Sequence, residues 1–293
     1  KTVSPKVVFT LIDNNPAFYK LKHIYEKTIY VSITISARTN AFCDSCEEYY
    51  LNPKSKKLKV DHMFVIGKND INRYSKIIEG KIESLGSVKN NYFYIKKKPD
   101  IEKKINSILF ISTKNELAKF NKEEKIIFDQ LYKFCIKKNL KLSICTKNNL
   151  YHERIYRQNL VKGDWSYIPY VDMKKTYELI NGSQMVVFTN STLGLEAMTK
   201  KIKGVAFPEN LFPSESYAKI YPSEGPFWFC NFVDHNRKGT LEENMERIIE
   251  RVIKKENIFK PHRMHLFQYL ANEKKYSHVF ISSIYALMQF LIN

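Results

Sequence analysis

Short runs of apolar, largely β-branched residues recur along this chain, each closed by a polar turn and followed by a stretch of helical spacing. Residues 6–13 read Lys-Val-Val-Phe-Thr-Leu-Ile-Asp and stop at Asn14-Asn15-Pro16. That pattern predicts a buried strand running into a loop or a helix start. A helix is expected over 17–25, and strands over 29–35, 61–66 and 82–85. Residues 70–79 carry helical spacing and are expected to stop at Gly80. Strand, crossover, strand is the signature of a mostly parallel sheet with helices on its faces.

The pattern breaks once and then resumes. Residues 94–102, with Lys96-Lys97-Lys98-Pro99-Asp100 at their centre, are charged, contain Pro and lack apolar periodicity. Beyond them the rhythm returns, with strands expected over 107–111, 140–145, 165–168, 185–188 and 204–207. Helices are expected over 122–138, 172–180, 192–200 and 241–256. The fold class predicted is therefore α/β, with two Rossmann-like lobes facing a cleft. An N-terminal, acceptor-side lobe spans 1–95, a C-terminal nucleotide-binding lobe spans 96–275, and an apolar helix occupies 276–293. In such sheets ligands bind outside the carboxyl ends of the strands.

Several function classes fall away on composition. Lys and Arg number 48 against 30 Asp and Glu, a net charge of +18. A field of that sign attracts nucleotides, nucleic acids, anionic glycans or lipid head groups. The basic residues are interleaved with acids along the whole chain, and no zinc-finger, RRM or KH signature accompanies them, so nucleic acid is not the expected partner. Cys43, Cys46, Cys135, Cys145 and Cys230 are odd in number. Cys43 and Cys46 have C-x-x-C spacing but no second ligand pair, which disfavours both a disulfide scaffold and a zinc site. No run of 18 apolar residues and no signal peptide is present, and a cytoplasmic location is expected. The helix at 276–291 is apolar but interrupted by Ser282 and Ser283. It reads as part of a core, with peripheral contact at the inner membrane as the sharper alternative.

The most informative stretch is Met185-Val-Val-Phe-Thr-Asn-Ser-Thr-Leu-Gly-Leu-Glu-Ala197. It reads as strand, tight polar turn, helix. Ser191 and Thr192 fall at the helix N-terminus, where backbone N–H groups and the helix dipole favour an anion, and their hydroxyls can bond the same phosphate. Gly194 leaves room for close approach. Glu196, one turn beyond Thr192 on the same face, can accept hydrogen bonds from ribose hydroxyls. Simple capping by Ser or Thr with an acid in the first turns is the alternative reading of the same residues. Neither a G-x-x-x-x-G-K-[ST] nor a G-x-G-x-x-G motif occurs elsewhere.

Together with Trp165-Ser-Tyr-Ile-Pro169, Tyr177-Glu-Leu-Ile180 and Gly225-Pro-Phe-Trp228, this stretch resembles the surface carbohydrate biosynthesis family, sugar transferases of bacterial surface-polysaccharide clusters. Ile12-Asp-Asn-Asn15, Phe18-Tyr19 and Leu85-Gly-Ser-Val-Lys-Asn90 are similar to the same family, so the resemblance runs from about residue 7 to 255. It implies a GT-B type architecture and a glycosyltransferase that moves a sugar from a nucleotide-sugar donor to a glycan or lipid-linked glycan acceptor. Two departures stand out. Thr34-Ile-Ser-Ala-Arg38 replaces a Gln-Asn-Gly-like turn, and the family's first lobe is longer, so the N-terminal lobe is expected to be incomplete.

Position along the strands suggests further roles, each with a structural alternative: a surface cation for Lys114, a polar loop for His152 and Glu153, and an ordinary strand end for Ile168 and Pro169. Gly225-Pro-Phe-Trp228 reads as an aromatic turn that closes over the ligand or packs between lobes. Lys114, after the 107–111 strand, would offset charge on the donor phosphates. His152 and Glu153 would reach the donor sugar or phosphate, and Ile168 with Pro169 would pair with the nucleobase through the backbone. Asp13, at the end of the first strand, is the expected general base for the acceptor hydroxyl, with Asp61 and His62 as a second choice. An Asx turn before Asn14-Asn15-Pro16 explains Asp13 better than the catalytic role does. Arg38 would hold an anionic acceptor. No D-x-D motif ends a strand, so no cofactor or metal is expected, the helix dipole and cations serving the phosphates instead. The rivals are a sugar-nucleotide epimerase on the same fold and a non-catalytic binding or scaffold protein of polysaccharide assembly.

Overall fold

The computed structural model describes residues 4–13, 15–36, 58–93, 105–112, 122–146, 161–189, 191–200, 202–207, 228–229 and 240–254. They fall into two compact units that divide between Tyr92 and Phe93.

The first unit holds a four-stranded sheet made of β1 (Val7–Thr10), β2 (Ile29–Ile33), β3 (Leu58–Val65) and β4 (Ile78–Ser84), in the order β1-β2-β3-β4. Every ladder is parallel. Its helices are α1 (Pro16–Ile24), α2 (Lys68–Tyr74) and α3 (Val88–Tyr92). α1 begins where the sequence supplies both a cap and a stiff first residue. The Asn15 side chain accepts a hydrogen bond from Ala17 N at 3.0 Å, and Pro16 opens the helix with no N–H to leave unpaired. Tyr19, Tyr30, Leu58, Met63, Val65, Tyr74 and Ile78 form the core.

The expected helix over 70–79 is shorter and sits earlier. α2 ends at Tyr74, and β4 already runs from Ile78. Gly80 is therefore not a helix stop. Lys59 pairs with Glu79 and His62 with Lys81, so Val60 and Asp61 together oppose Gly80 in a β-bulge on β3. Gly80 has φ +152°, and a Cβ there would lie 2.0 Å from the Val60 carbonyl oxygen, so only glycine fits. The bulge turns Asp61 sideways. Its carboxylate accepts from Tyr30 N at 2.7 Å and pairs with Lys22 at 3.0 Å, which occupies it in strand spacing rather than in proton transfer.

The second unit carries β5 (Ser107–Ile111), β6 (Lys141–Cys145), β7 (Ser166–Ile168), β8 (Met185–Phe188), β9 (Lys203–Ala206) and β10 (Trp228–Phe229). The order across the sheet is β10-β9-β8-β5-β6-β7, again with every ladder parallel. Counted within the unit, this is the 3-2-1-4-5-6 order of a dinucleotide-binding sheet. α4 (Lys122–Lys138) and α7 (Leu241–Lys254) bury Ile127, Phe128, Leu131 and Phe134 with Met245, Ile248, Ile249 and Val252 in one core. Two more helices, α5 (Met173–Gly182) and α6 (Thr192–Thr199), flank β8 in the chain. α5 is capped by Asp172, whose carboxylate accepts from Lys175 N at 2.7 Å, and it runs two residues past the expected end at Ile180. β10 is an edge strand where an aromatic turn was expected.

Cys135 and Cys145 are free, buried thiols, and burial pushes the Cys135 thiol up to about 12. Neither is expected to react with iodoacetamide in the folded chain at pH 8, where thiolate is the reactive form. Peptide mapping after alkylation with and without denaturant checks this. The Cys43–Cys46 pair and the apolar stretch 276–291 lie outside the described residues. No helix among the described residues is long and apolar enough to cross a membrane.

Candidate functional site

The strand order fixes one place in the second unit. Chain direction across the sheet reverses between β5 and β8, since β6 and β7 build outward on one side and β8, β9 and β10 on the other. Crossover helices then lie on opposite faces, and a crevice opens at the carboxyl ends of the two middle strands. α6 begins there, immediately after β8. Ser191 precedes its first residue, and the Ser191 carbonyl accepts from Gly194 N at 3.1 Å and Leu195 N at 3.3 Å. The first-turn amides and the positive end of the α6 dipole thus meet at the switch point.

Hydroxyl groups ring the same edge, and the sequence reading missed most of them. Ser112 follows β5, Thr146 follows β6, Thr189 follows β8, and Ser191 opens α6; all four are buried. Ser112 N donates to Cys145 O at 3.0 Å, and Thr146 Oγ1 lies 3.0 Å from the Tyr167 hydroxyl. The available signal was simple: each of the three strands β5, β6 and β8 is followed directly by Ser or Thr.

Ile168 closes β7, paired with Cys145 of β6. Three strand spacings, about 14 Å, separate β7 from β8. The residue also lies on the sheet's carboxyl edge, where the sequence reading put it.

Gly194 requires a correction. A Cβ built there would lie 2.2 Å from Phe188 Cγ, inside a fully buried ring. The glycine seats α6 on the last residue of β8, so its reason is helix–strand packing rather than room for a ligand.

Glu196 has a partner that the sequence did not reveal. Its Oε2 accepts from the Tyr177 hydroxyl at 2.5 Å, and both side chains are buried. Burial and the adjacent carboxylate push the Tyr177 phenol well above its usual range, so it stays protonated and donates. Phe93 stacks on Tyr177 with centroids 5.0 Å apart and planes 20° from parallel. The Lys200 ammonium lies over the same ring, 4.9 Å from its centroid. Lys200 Nζ is buried with no hydrogen-bond partner.

Burial lowers the Lys200 amine from 10.5 to about 8, against the opposing pull of the Glu196 carboxylate. The folded chain therefore holds this proton less tightly than the unfolded chain. Between about 8 and 10.5 the unfolded state binds more protons, so this group makes stability rise with pH across that window. Lys200→Met is expected to melt above wild type at pH 7, with the gap closing as pH climbs toward 10. Melting curves across that range check it, and a gap that widens with pH contradicts it.

In the first unit, Asp13 is closed off. It is fully buried, its Oδ2 accepts from the Tyr74 hydroxyl at 2.9 Å, and its carbonyl accepts from the Tyr19 hydroxyl at 2.7 Å. Tyr19 also lies 2.9 Å from Ser32 Oγ. This network ties the end of β1 to α1, β2 and α2, so the carboxylate holds the fold here and presents no face to an acceptor hydroxyl. Lys114, His152, Glu153, Arg38 and 225–227 lie outside the described residues. Among the described residues, no group of three or more His, Cys, Asp or Glu side chains gathers to hold a metal.

Solved structures share the fold at low identity. The structure of S. aureus MnaA with UDP matches with a TM-score of 0.55 at 14% identity, over 99% of this chain and 76% of that one. A Listeria monocytogenes protein described as a putative UDP-N-acetylglucosamine 2-epimerase matches at 0.54 and 13%, over 87% and 70%. The α,α-trehalose 6-phosphate synthase of Burkholderia multivorans matches at 0.51 and 10%, over 97% and 70%. The architecture, parallel α/β sheets shared with these solved structures, is of the GT-B type. No curated protein sequence matches. Residues 40–258 match the family described as "putative O-antigen biosynthesis protein", three quarters of the chain, and the protein belongs to that family.

Proposed function

We propose that this chain is a glycosyltransferase of O-antigen assembly that takes its sugar from a nucleotide-sugar donor bound at the switch point of the second unit. The observation that carries the reading is the strand order β10-β9-β8-β5-β6-β7, which starts α6 between the two middle strands. The donor phosphates take the N-terminal amides of α6 and the hydroxyls of Ser191 and Thr192. Glu196 takes a ribose hydroxyl, and the β6–β7 edge near Ile168 takes the base. Lys114 and His152 supply charge from the neighbouring loops. No metal enters this scheme: helix dipole and cations offset the charge that develops on the leaving nucleotide.

An acceptor hydroxyl attacks the anomeric carbon, the bond from that carbon to the donor phosphate breaks, the nucleotide leaves with the electron pair, and the hydroxyl proton passes to a base. Arg38 is the proposed acceptor contact. Asp13, tied to Tyr74, would serve as base only after giving up that bond. A peripheral position at the cytoplasmic face of the membrane suits a lipid-linked acceptor.

Calorimetry against CMP, CDP, UDP and GDP tests the donor site. One nucleotide is expected to bind, and Ser191→Ala with Thr192→Ala is expected to weaken it at least tenfold, the effect of about 1.4 kcal/mol or more from two hydrogen bonds to a charged phosphate. Failure of all four to bind would remove the catalytic reading. The likeness to the Listeria protein keeps an epimerase as the second reading. Product analysis with the matching nucleotide sugar separates the two. A transferase leaves the sugar unchanged without acceptor, whereas an epimerase converts it.

A further inference from the structure

Tyr177 is doubly constrained. Its ring stacks with Phe93 at 5.0 Å and lies under the Lys200 ammonium at 4.9 Å, while its hydroxyl is bonded to Glu196 Oε2. Aromatic stacking and a cation over a ring face each favour one orientation of the ring. A phenol fixed in that way has one place to put its proton, and that place is the carboxylate. Tyr177 comes from the middle of α5, Glu196 from α6, and Lys200 lies one turn beyond Glu196. A buried ammonium with no hydrogen-bond partner is costly, and its proximity to Glu196 only partly offsets the cost. A methionine of similar length would fill the space without that penalty, so the ammonium needs a reason other than stability.

We propose that Tyr177, clamped by Phe93 and Lys200, is a positioning residue that holds the Glu196 carboxylate in the orientation in which it takes a ribose hydroxyl of the bound nucleotide. The inference rests on the donor-site reading above. A carboxylate offers about four lone-pair positions, and the Tyr177 hydroxyl takes one on Oε2. With the phenol in place, the carboxylate plane is set before the nucleotide arrives, and less orientational freedom is lost on binding. Lys200 contributes through the ring and through its charge, not by bonding the ligand.

The experiment is calorimetry on the full chain with UDP, CDP and GDP and with the 2′-deoxy and 3′-deoxy form of each, for wild type, Tyr177→Phe and Lys200→Met. Wild type is expected to prefer one ribonucleotide over one of its deoxy forms by about tenfold, the effect of one hydrogen bond to a charged group. Tyr177→Phe should shrink that preference to about threefold or less while leaving the deoxy affinity unchanged. Lys200→Met should also narrow it, although that variant melts higher than wild type. A structural role alone predicts that both forms weaken together.

The inference is overturned if Tyr177→Phe keeps the full preference or weakens ribo and deoxy forms equally. Should Tyr177→Phe fail to fold, Lys200→Met decides, and an unchanged preference there overturns it. Wild type binding a nucleotide with no ribose preference overturns this inference and leaves the donor site standing. Wild type binding none of the three overturns this inference, and failure to bind CMP as well removes the donor site with it.

Discussion

Gly194→Ala is expected to lower the melting temperature of the second unit by about 5 °C and to weaken nucleotide binding in the same variant. The added methyl would lie 2.2 Å from Phe188 Cγ and 2.4 Å from Cδ1, contacts that folded proteins do not tolerate. Phe188 is fully buried, with no space into which the ring can retreat. Forcing a methyl into such a core costs about 1–3 kcal/mol, and each kcal/mol moves the melting point of a domain this size by about 2–4 °C. Alanine's better helix propensity returns at most about 1 kcal/mol. The strain must lift the start of α6 away from β8, and that start is where the donor phosphates are proposed to bind. Thermal melting and nucleotide calorimetry on the same preparation check both halves. A variant that melts normally yet loses the nucleotide would restore a direct ligand role for Gly194.

Phe128→Ala is expected to be the more damaging change. Phe128 is fully buried on α4, packed against Phe110 of β5 at 5.4 Å between centroids and edge-on to Trp165 at 5.1 Å. Removing the ring leaves a cavity in the centre of the second unit's core and costs about 3–5 kcal/mol. That corresponds to a drop of roughly 10 °C or more. Trp165 reports the loss directly, because its emission shifts to the red when its neighbour is gone. A drop below about 3 °C with unchanged emission would mean that this core repacks around the gap.

The alternation of apolar runs and helical stretches was enough to find β5, α4 and β8 at their true limits, because β5 and β8 are short apolar runs next to polar residues and α4 repeats buried apolar residues at helical spacing. It failed at Gly80. A glycine after helical spacing reads as a helix stop, whereas the glycine here answers a bulge at Val60 and Asp61 of β3, well before it in the chain. Nothing local to Gly80 records that pairing. β10 went unseen because two residues carry no period. At the site, Ser191, Thr192 and Glu196 stood out through local spacing, and the switch point gave them a place. Tyr177 stood out only as part of a family motif and Lys200 not at all, since their contacts across α5 and α6 are not encoded in spacing. Asp13 was expected to end its strand, but β1 stops at Thr10, and the bond that Asp13 accepts from the Tyr74 phenol, sixty-one residues on, is not legible in local sequence.

The central position of β5 has a consequence for how the chain is made. One of its neighbours, β6, follows soon after it, but the other, β8, pairs Val186 with Leu109 across nearly half of the second unit's sequence. At ribosomal speeds of about 5–20 residues per second, that flank of β5 stays unpaired for several seconds of synthesis. During that interval an apolar strand edge is open to the wrong partner, as such edges are in any slowly completed parallel sheet. The strand that closes it is the one that carries α6, so the proposed donor site is completed by the same event that ends the chain's exposure to aggregation.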